Sequence, residues 1–552
     1  MNRHLRNAMK IKFLSLIYFV IVCISISSGS KRNVLLIVVD DLRPALGCYD
    51  FPKIISPNID QLASKSVLFN NAHVQQAVCG PSRTSFLTSR RPDTTKLYDF
   101  GSYWRTHAGN FTTLPQHFKE NGYFAYSIGK VFHPGKCSNG TDDFPYSWSV
   151  PAYHPSTQKY KMQKVCPNPD GTLSMNLLCA VNVSTQPEKT LPDIQSSDHA
   201  VEILKQLEKD QQKEPFFLAV GFHKPHVPFK FPEEYLELYP LSKIDLAPDP
   251  FVPKKLPTVA YSPWTPLRRR DDVIALNLSF PYGPIPDIFQ RKIRQHYFSS
   301  VSYMDAMVGK VLNQLTLSGF ANNTIIAFVG DHGWSLGDHG DWCKFENLEP
   351  VTRVPFLFHI PQMTTTSSNF KFQDPFESAN IGKVFQKMQL KSDALVELVD
   401  LFPTLSDLAN LPQIPLCNKN SSKTQLCTEG LSMATLLENV VRGEETPWKN
   451  AVFSQYPRPS VEPRENSDLP KLKDIRIMGY TMRTKDHRYT EWIGFDPVTF
   501  YANFSQVYAR ELYLHDIDPL EDNNVASEPS SKQLVRKLRK KLIAGWRNAL
   551  PK

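Results

Sequence analysis

Three uninterrupted apolar runs along the chain have the pattern of strands that are buried on both faces of a parallel sheet. They cover Asn33–Val39 and residues 215–220 and 324–329, and none of them alternates with polar positions as a half-exposed strand would. Segments with helical periodicity, at residues 198–209 and 291–317, precede the second and the third run. Buried strands that alternate with amphipathic helices predict an α/β sandwich, with a large, mostly parallel sheet flanked by helices.

Ionisable side chains follow each apolar run at the point where its strand should end. Asp40 and Asp41 follow the first run, His226 lies shortly after the second, and Asp331 and His332 follow the third. Ligands of open α/β sheets bind outside the carboxyl ends of the strands. The sequence therefore predicts that these side chains meet at one edge of the sheet.

The pattern changes towards the C-terminus. Two alternating segments, residues 475–484 and 488–495, flank a polar turn and predict an antiparallel hairpin, and a helical segment follows at residues 531–548. We therefore expect a catalytic domain over residues 31–440 and a smaller α+β subdomain with an antiparallel sheet over residues 441–552.

The first thirty residues have the parts of a secretory signal peptide. Four basic residues accompany an apolar run of fourteen residues, and small residues follow at 27–30. Fourteen residues are fewer than the about twenty that a membrane span needs, and an uncleaved signal anchor is the alternative. Seven Asn-x-Ser/Thr sequons agree with secretion and predict N-glycosylation: Asn110, Asn139, Asn182, Asn277, Asn322, Asn420 and Asn503.

Composition and charge narrow the class of protein. Hydrophobic residues make up 41% of the chain and charged residues 21%, which permits a full core and excludes wholesale disorder. Removal of the signal peptide takes away four positive charges and no negative ones, so the formal charge falls from +9 to +5. This mild excess is compatible with a polyanionic substrate, but no basic cluster of the core is typical of a nucleic-acid site.

Eight cysteines follow the signal region. Cys166 with Cys179, and Cys417 with Cys427, form two close pairs in polar stretches, as expected of disulfides in an oxidising compartment. No Cys-x-x-Cys spacing is present, which argues against structural zinc. The sequence leaves open the partners of three others: Cys48, Cys137 and Cys343.

The remaining cysteine, Cys79, enters a Pro-Ser turn that begins a predicted helix. Anions are stabilised at the N-terminus of a helix, and Arg83 lies one turn further along. From these residues alone, a thiolate nucleophile and a buried structural cysteine both remain open.

The wider segment, Cys-Gly-Pro-Ser-Arg-Thr-Ser-Phe-Leu-Thr-Ser-Arg from Cys79 to Arg90, resembles the signature of the sulfatase family. In that family the cysteine is converted to formylglycine in the endoplasmic reticulum. Ser89 departs from the pattern, because the family usually has Gly there. A second element, Gly-Lys-Val-Phe-His over residues 129–133, is similar to the family's Gly-Lys-x-His with one extra residue. The resemblance extends from residue 33 to about residue 525 and includes residues 221–228, 281–286, 330–334, 454–460 and 511–519.

Membership of this family implies an alkaline-phosphatase-like fold and one bound Ca²⁺ ion. The ligands would be three carboxylates, a ring nitrogen and the modified side chain: Asp40, Asp41, Asp331, His332 and Cys79.

The resemblance also implies the catalytic roles. Hydrated formylglycine would attack the sulfur and form a covalent sulfo-enzyme intermediate, and its second hydroxyl would then lose a proton so that sulfate leaves. Arg83 and Lys130 would neutralise charge, and His133 would accept that proton. His226 and Lys344 would hold the sulfate, and one of them would protonate the leaving oxygen. Three further side chains have weaker assignments: Trp334 would line the sugar pocket unless it is a core residue, and we expect His223 and His339 to be structural.

Within the family, the chain is most similar to lysosomal exo-enzymes that remove the 2-O-sulfate of terminal iduronate 2-sulfate in heparan sulfate and dermatan sulfate. The expected partners are this sulfated glycosaminoglycan, the formylglycine-generating enzyme and the mannose-6-phosphate receptor. The alternatives are a sulfatase for another sulfated sugar and a phosphonate or phosphodiester hydrolase of the same superfamily. A catalytically silent glycosaminoglycan-binding protein and a thiol hydrolase that uses Cys79 directly are also open.

Overall fold

A computed structural model describes residues 31–211, 214–381, 390–419 and 421–551. The predicted signal peptide, residues 1–30, and the sequon at Asn420 lie outside the described residues.

Sixteen strands are present in the described chain. In order they are β1 Asn33–Val39, β2 Val67–His73, β3 Phe124–Gly129, β4 Cys166–Pro167, β5 Leu173–Ser174, β6 Leu178–Val181, β7 Phe216–Phe222, β8 Phe229–Pro232, β9 Thr324–Gly330, β10 Arg353–Val354, β11 Phe356–His359, β12 Leu390–Glu397, β13 Val452–Arg458, β14 Ile477–Arg483, β15 His487–Asp496 and β16 Tyr501–Leu514.

Fourteen α-helices accompany them in the same part of the chain. They are α1 Pro57–Ala63, α2 Cys79–Thr88, α3 Pro92–Thr95, α4 Trp104–His107, α5 Leu114–Glu120, α6 Pro192–Lys209, α7 Thr265–Arg268, α8 Asp271–Ile274, α9 Asp287–Leu317, α10 Glu349–Thr352, α11 Pro375–Ile381, α12 Leu401–Leu408, α13 Ala434–Arg442 and α14 Lys532–Ala544.

The large sheet has eight strands, and the predicted strands form its centre. The order is β10-β2-β11-β9-β1-β7-β3, with β12 paired to β2. β1 is parallel to both β7 and β9, whereas β11 is antiparallel to β9 and β2. The prediction of a mostly parallel sheet is confirmed.

Helices cover both faces of this sheet, which explains why β1 is apolar at every position. Leu35, Ile37 and Val39 belong to one core cluster, and Val34, Leu36 and Val38 belong to the other, because alternate side chains of a strand point to opposite faces. Residues of α6 and α9 complete the first cluster, and residues of α5 and α12 complete the second.

The C-terminal part contains the expected antiparallel sheet, in the order β13-β14-β15-β16. The predicted hairpin is formed by β14 and β15, and β13 joins the body of the fold through a hydrogen bond from the Gln455 amide to the Gln75 carbonyl at 2.8 Å. Helix α14 ends at Ala544, earlier than predicted, because Gly545 takes a φ of +74° and turns the chain. The domain division at residue 440 stays a prediction; α13 runs across it.

Both predicted disulfides are formed, Cys166–Cys179 and Cys417–Cys427. The other three cysteines that the sequence left open are buried free thiols: Cys48, Cys137 and Cys343. In the described chain, no helix combines the length and the apolar character needed to cross a bilayer.

Candidate active site

Cys79 is the first residue of α2, and every residue of that helix is buried. The Cys79 thiol lies 3.3 Å from Asp40 Oδ1 and from His332 Nε2, 3.4 Å from Lys130 Nζ and 3.3 Å from Lys344 Nζ. The ends of three strands, β1, β3 and β9, and one loop therefore converge on one side chain, as the sequence predicts for the edge of the sheet.

The five residues that the family resemblance names as metal ligands lie together. One ligand atom each from Asp40, Cys79, Asp331 and His332 falls within 4.8 Å of the others, and Asp41 joins Asp40 and Cys79 in an overlapping group. Consecutive side chains on an extended strand point to opposite faces. Asp41 instead has a φ of +59°, which ends β1 and turns the second carboxylate towards the site.

The donor set suits a hard divalent cation. Asp41 Oδ2 is buried and has no hydrogen-bond partner among the described residues, although such atoms are seldom left unpaired. Burial raises the pKa of Asp41 to about 7, since the attraction of Lys344 does not offset the loss of hydration and Asp40 adds repulsion. A bound cation would satisfy that oxygen and favour the ionised form.

Three buried cations balance these carboxylates. Arg83 Nε donates to Asp331 Oδ2 at 2.7 Å, Lys130 is ion-paired with Asp40, and Lys344 Nζ donates to Asp41 Oδ1 at 2.6 Å. Burial alone would raise the pKa of Asp40, but Lys130 and its neighbours hold it well below its usual range. The carboxylates of the site are thus fixed by charge-assisted hydrogen bonds before any ligand binds.

Both predicted catalytic histidines line the same region. A ring nitrogen of His226 lies within 4.8 Å of the Cys79 sulfur and of one oxygen each of Asp40 and Asp41, and His133 lies beside Lys130. His133 stacks on Phe100 with ring centroids 4.3 Å apart. His226 Nε2 lies 4.0 Å from Asp41 Oδ2, and its Nδ1 is 2.6 Å from the Val227 carbonyl. Burial, reinforced by neighbouring lysines, lowers the pKa of both rings well below the usual value, so both are neutral here.

Burial and contacts bear on the three candidates with weaker assignments, Trp334, His223 and His339. Trp334 is 1% exposed and lies beneath Lys344, whose Nζ is 5.6 Å from the ring centroid. This burial favours the core alternative, and the role in a sugar pocket stays a prediction. His223 contacts Asp193 and His339 contacts Asp249, with nitrogen–oxygen distances of 3.2 and 3.1 Å, as structural histidines would.

Ser89, the departure from the family pattern, ends α2 with a φ of +51°. Glycine adopts this conformation without strain, whereas other residues need compensation. The Ser89 hydroxyl supplies it, since it donates to the Val399 carbonyl at 2.5 Å and lies 2.7 Å from the Thr428 hydroxyl.

No sequence pattern singles out Lys161, yet its Nζ lies 3.5 Å from His226 Nε2. Lys161 belongs to a 3₁₀ turn, Ser156–Met162, in a segment rich in lysine that has the composition of a solvated surface. Only the tertiary fold brings this turn to the site.

Comparison with known proteins agrees with the geometry. The model of a family described as Sulfatase matches residues 32–411. The chain is 53% identical to "Iduronate 2-sulfatase" of Mus musculus and 54% identical to that of Homo sapiens, in each case over 94% of this chain and 96% of the relative.

Two solved structures share the fold at low identity. A phosphonate monoester hydrolase of Agrobacterium radiobacter has a TM-score of 0.64 at 19% identity and covers 93% of this chain and 95% of its own. A 2-O GAG sulfatase has a TM-score of 0.59 at 20% identity and covers 93% of this chain and 91% of its own.

Proposed function

The chain belongs to the sulfatase family, and we propose that it hydrolyses the 2-O-sulfate of terminal iduronate 2-sulfate units in heparan sulfate and dermatan sulfate. The observation that carries this substrate is the identity of 53–54% over 94% of the chain to two proteins named iduronate 2-sulfatase. The buried ring of carboxylates and cations around Cys79 supports the same reaction class, sulfuric ester hydrolysis.

We further propose one Ca²⁺ ion and a formylglycine derived from Cys79. The ion would be held by the five residues described above, and it would supply positive charge next to the sulfate: Asp40, Asp41, Cys79, Asp331 and His332. Hydrated formylglycine would supply a hydroxyl nucleophile together with a second hydroxyl that allows the sulfate to be released. The unpartnered Oδ2 of Asp41 supports the ion.

The cations of the site would bind and orient the ester. Lys344 Nζ points at Cys79 and is locked by Asp41 at 2.6 Å, so we assign it to the sulfate oxygens. In the described parts of the chain, no carboxylate oxygen lies closer to His226 Nε2 than 4.0 Å. His226 would therefore be able to give a proton to the leaving oxygen once an anion has raised its pKa. His133, neutral and beside Lys130, would accept the proton of the second hydroxyl.

We propose delivery to the lysosome through the secretory pathway, with the formylglycine-generating enzyme and the mannose-6-phosphate receptor as partners on the way. Five of the six described sequons have exposed asparagines and the sixth is half-buried, so glycan attachment is sterically open: Asn110, Asn139, Asn182, Asn277, Asn322 and Asn503.

Sulfate release from disaccharides that end in iduronate 2-sulfate tests this proposal. The secreted protein should act on them faster than on aryl sulfates, phosphonate monoesters or phosphodiesters, and peptide mass spectrometry should find formylglycine at position 79. Turnover of phosphonate monoesters with no action on the disaccharide would reject the substrate. An unmodified thiol at position 79 in active protein would reject the nucleophile.

A further inference from the structure

Among the described residues, no carboxylate forms an ion pair with the ammonium groups of three lysines beside His226. Lys161, Lys224 and Lys230 line a narrow cleft together with His226 and Asp40. Lys224 and Lys230 are 7% and 6% exposed, and Lys161 is partly exposed. Charged groups are rarely buried unless an opposite charge or several acceptors surround them.

The three ammonium groups have different surroundings. Lys224 Nζ donates to the carbonyls of His226 and Pro228, and the second of these hydrogen bonds is 2.6 Å long. Lys224 therefore stabilises the loop that contains His226. Lys161 Nζ meets only the ring nitrogen of His226, at 3.5 Å, and the Lys230 ammonium has no hydrogen-bond or ion-pair partner within the described chain.

The cleft has an excess of positive charge. Among the described residues that line it, Asp40 is the only carboxylate, and it is already ion-paired with Lys130. Burial lowers the pKa of Lys230 to about 8. Burial also lowers the pKa of Lys224 to about 7, because the attraction of Asp193 does not offset the loss of hydration and Lys161 and Lys230 add repulsion. A bound oxyanion would offset this unfavourable concentration of charge.

We propose that Lys161 and Lys230, supported by Lys224, form a second oxyanion subsite that binds a carboxylate or a further sulfate of the same glycosaminoglycan. The inference rests on the proposed function and extends it. Cys79 is not among the described residues that line this cleft, whereas Asp40, whose Oδ1 lies 3.3 Å from the Cys79 sulfur, is. The cleft therefore adjoins the nucleophile, and the subsite would receive an acidic group next to the scissile sulfate and not that sulfate itself.

Three related substrates distinguish the sources of the second anion. The first is a disaccharide of iduronate 2-sulfate and unsulfated glucosamine, the second carries an added sulfate on the glucosamine, and the third has the iduronate carboxyl group reduced to an alcohol. Lys161→Gln and Lys230→Gln each remove one charge, and Lys164→Gln is the matched control, because Lys164 is exposed three residues from Lys161.

For wild-type protein and Lys164→Gln, we expect kcat/KM to be about tenfold or more higher for the substrate that carries the bound anion than for the substrate that lacks it. A difference of this size is in keeping with a charge-assisted hydrogen bond. Lys161→Gln and Lys230→Gln should lose most of that preference. Dependence on the added sulfate would identify the neighbouring sugar, and dependence on the carboxyl group would identify the iduronate.

A wild-type protein that is indifferent to both anions, or lysine variants that reduce kcat/KM equally for all three substrates, would overturn the subsite. Equilibrium binding of the same sugars to Cys79→Ala protein, with and without each lysine substitution, tests the subsite without turnover. Failure of wild-type protein to cleave any of the sugars would count against the proposed function, while the binding measurement would still decide the subsite. Lys161 lies in a partly exposed turn, so its variant provides the test if Lys230→Gln fails to fold.

Discussion

Replacement of Lys344 by methionine tests the electrostatic reasoning most directly, because it removes a charge while nearly conserving volume. Lys344 Nζ lies 3.3 Å from the Cys79 sulfur, and its side chain is 4% exposed. Removing one such fixed donor from a site that excludes water costs about 2.7–4 kcal/mol of transition-state stabilisation, or about 10²–10³ in kcat. For an iduronate 2-sulfate substrate, we therefore expect Lys344→Met to reduce kcat by a factor of about 10²–10³.

The same substitution should destabilise the protein in a pH-dependent way. Loss of one partner from a buried ion pair typically costs about 3–5 kcal/mol when the other charge remains. The pKa of Asp41 is about 7 even with Lys344 present, and it rises further without it, so at acidic pH the carboxyl group takes up a proton. The loss of unfolding free energy, measured in EDTA, should therefore be smaller at pH 5 than at pH 8.

Lys344→Arg and the exposed Lys164→Met are the controls. The arginine variant keeps the charge and should retain more activity than the methionine variant, and Lys164→Met should match wild-type protein. A folded Lys344→Met protein with kcat within threefold of wild type would refute the role of this ammonium group. A decrease in activity that follows only the unfolded fraction would do the same.

Three further predictions follow from single contacts. Cys79→Ser should abolish turnover while the melting temperature stays close to that of wild type, and retained sulfate release would contradict the proposed nucleophile. The folded-state pKa of Asp41 is raised from 3.8 to about 7, so metal-free protein should lose stability as the pH rises from about 4 to about 7, and Ca²⁺ should suppress this loss. Melting temperatures measured across this pH range in EDTA and in Ca²⁺ test both expectations. The same pH dependence in EDTA and in Ca²⁺ would contradict the metal site. Ser89→Gly relieves the strain of a positive φ but leaves the Val399 carbonyl without its hydroxyl partner. We expect the free energy of unfolding, measured by chemical denaturation, to decrease by about 1 kcal/mol while kcat stays unchanged. A gain in stability would show that backbone strain outweighs the hydrogen bond.

The centre of the fold could be predicted because it is encoded locally. β1 and β9 are continuous apolar runs, and the structure places both within one residue of the predicted bounds. Helix α6 begins at Pro192, six residues before the predicted start, since proline suits the first turn of a helix but interrupts an apolar pattern. The outer strands were not predicted: β2 and β12 pair across more than 300 residues, and β11 is only four residues long. Such strands are specified by their tertiary neighbours.

The residues of the site can likewise be separated into those that local sequence predicts and those that only the tertiary structure brings together. Asp40, Asp41, Asp331 and His332 follow strongly apolar strands, so the carboxyl edge of the sheet brings them together. The motif that begins at Cys79 forms helix α2, so its local structure is encoded in its own residues. Lys344 lies in an irregular loop and was reached only through the family resemblance, and Lys161 lies in a 3₁₀ turn with no periodicity, so nothing in the sequence predicted its approach to His226.

The charges of the site explain why it suits a sulfate monoester. A bound cation would keep Asp41 ionised, and three carboxylates then face three fixed cations and two neutral histidines, so that the protein groups sum to a charge close to zero: Asp40, Asp41, Asp331, Arg83, Lys130, Lys344, His133 and His226. A divalent cation would bring the total to about +2. A sulfate monoester carries one negative charge, which leaves about one positive charge to stabilise the oxygens that gain charge during the reaction. A dianionic phosphate monoester would use up that excess, so the count favours a monoanionic ester. The same count suits the phosphonate monoesters of the structural neighbour, and selection of the sugar must therefore come from contacts outside this ring of charges, such as the lysines beside His226.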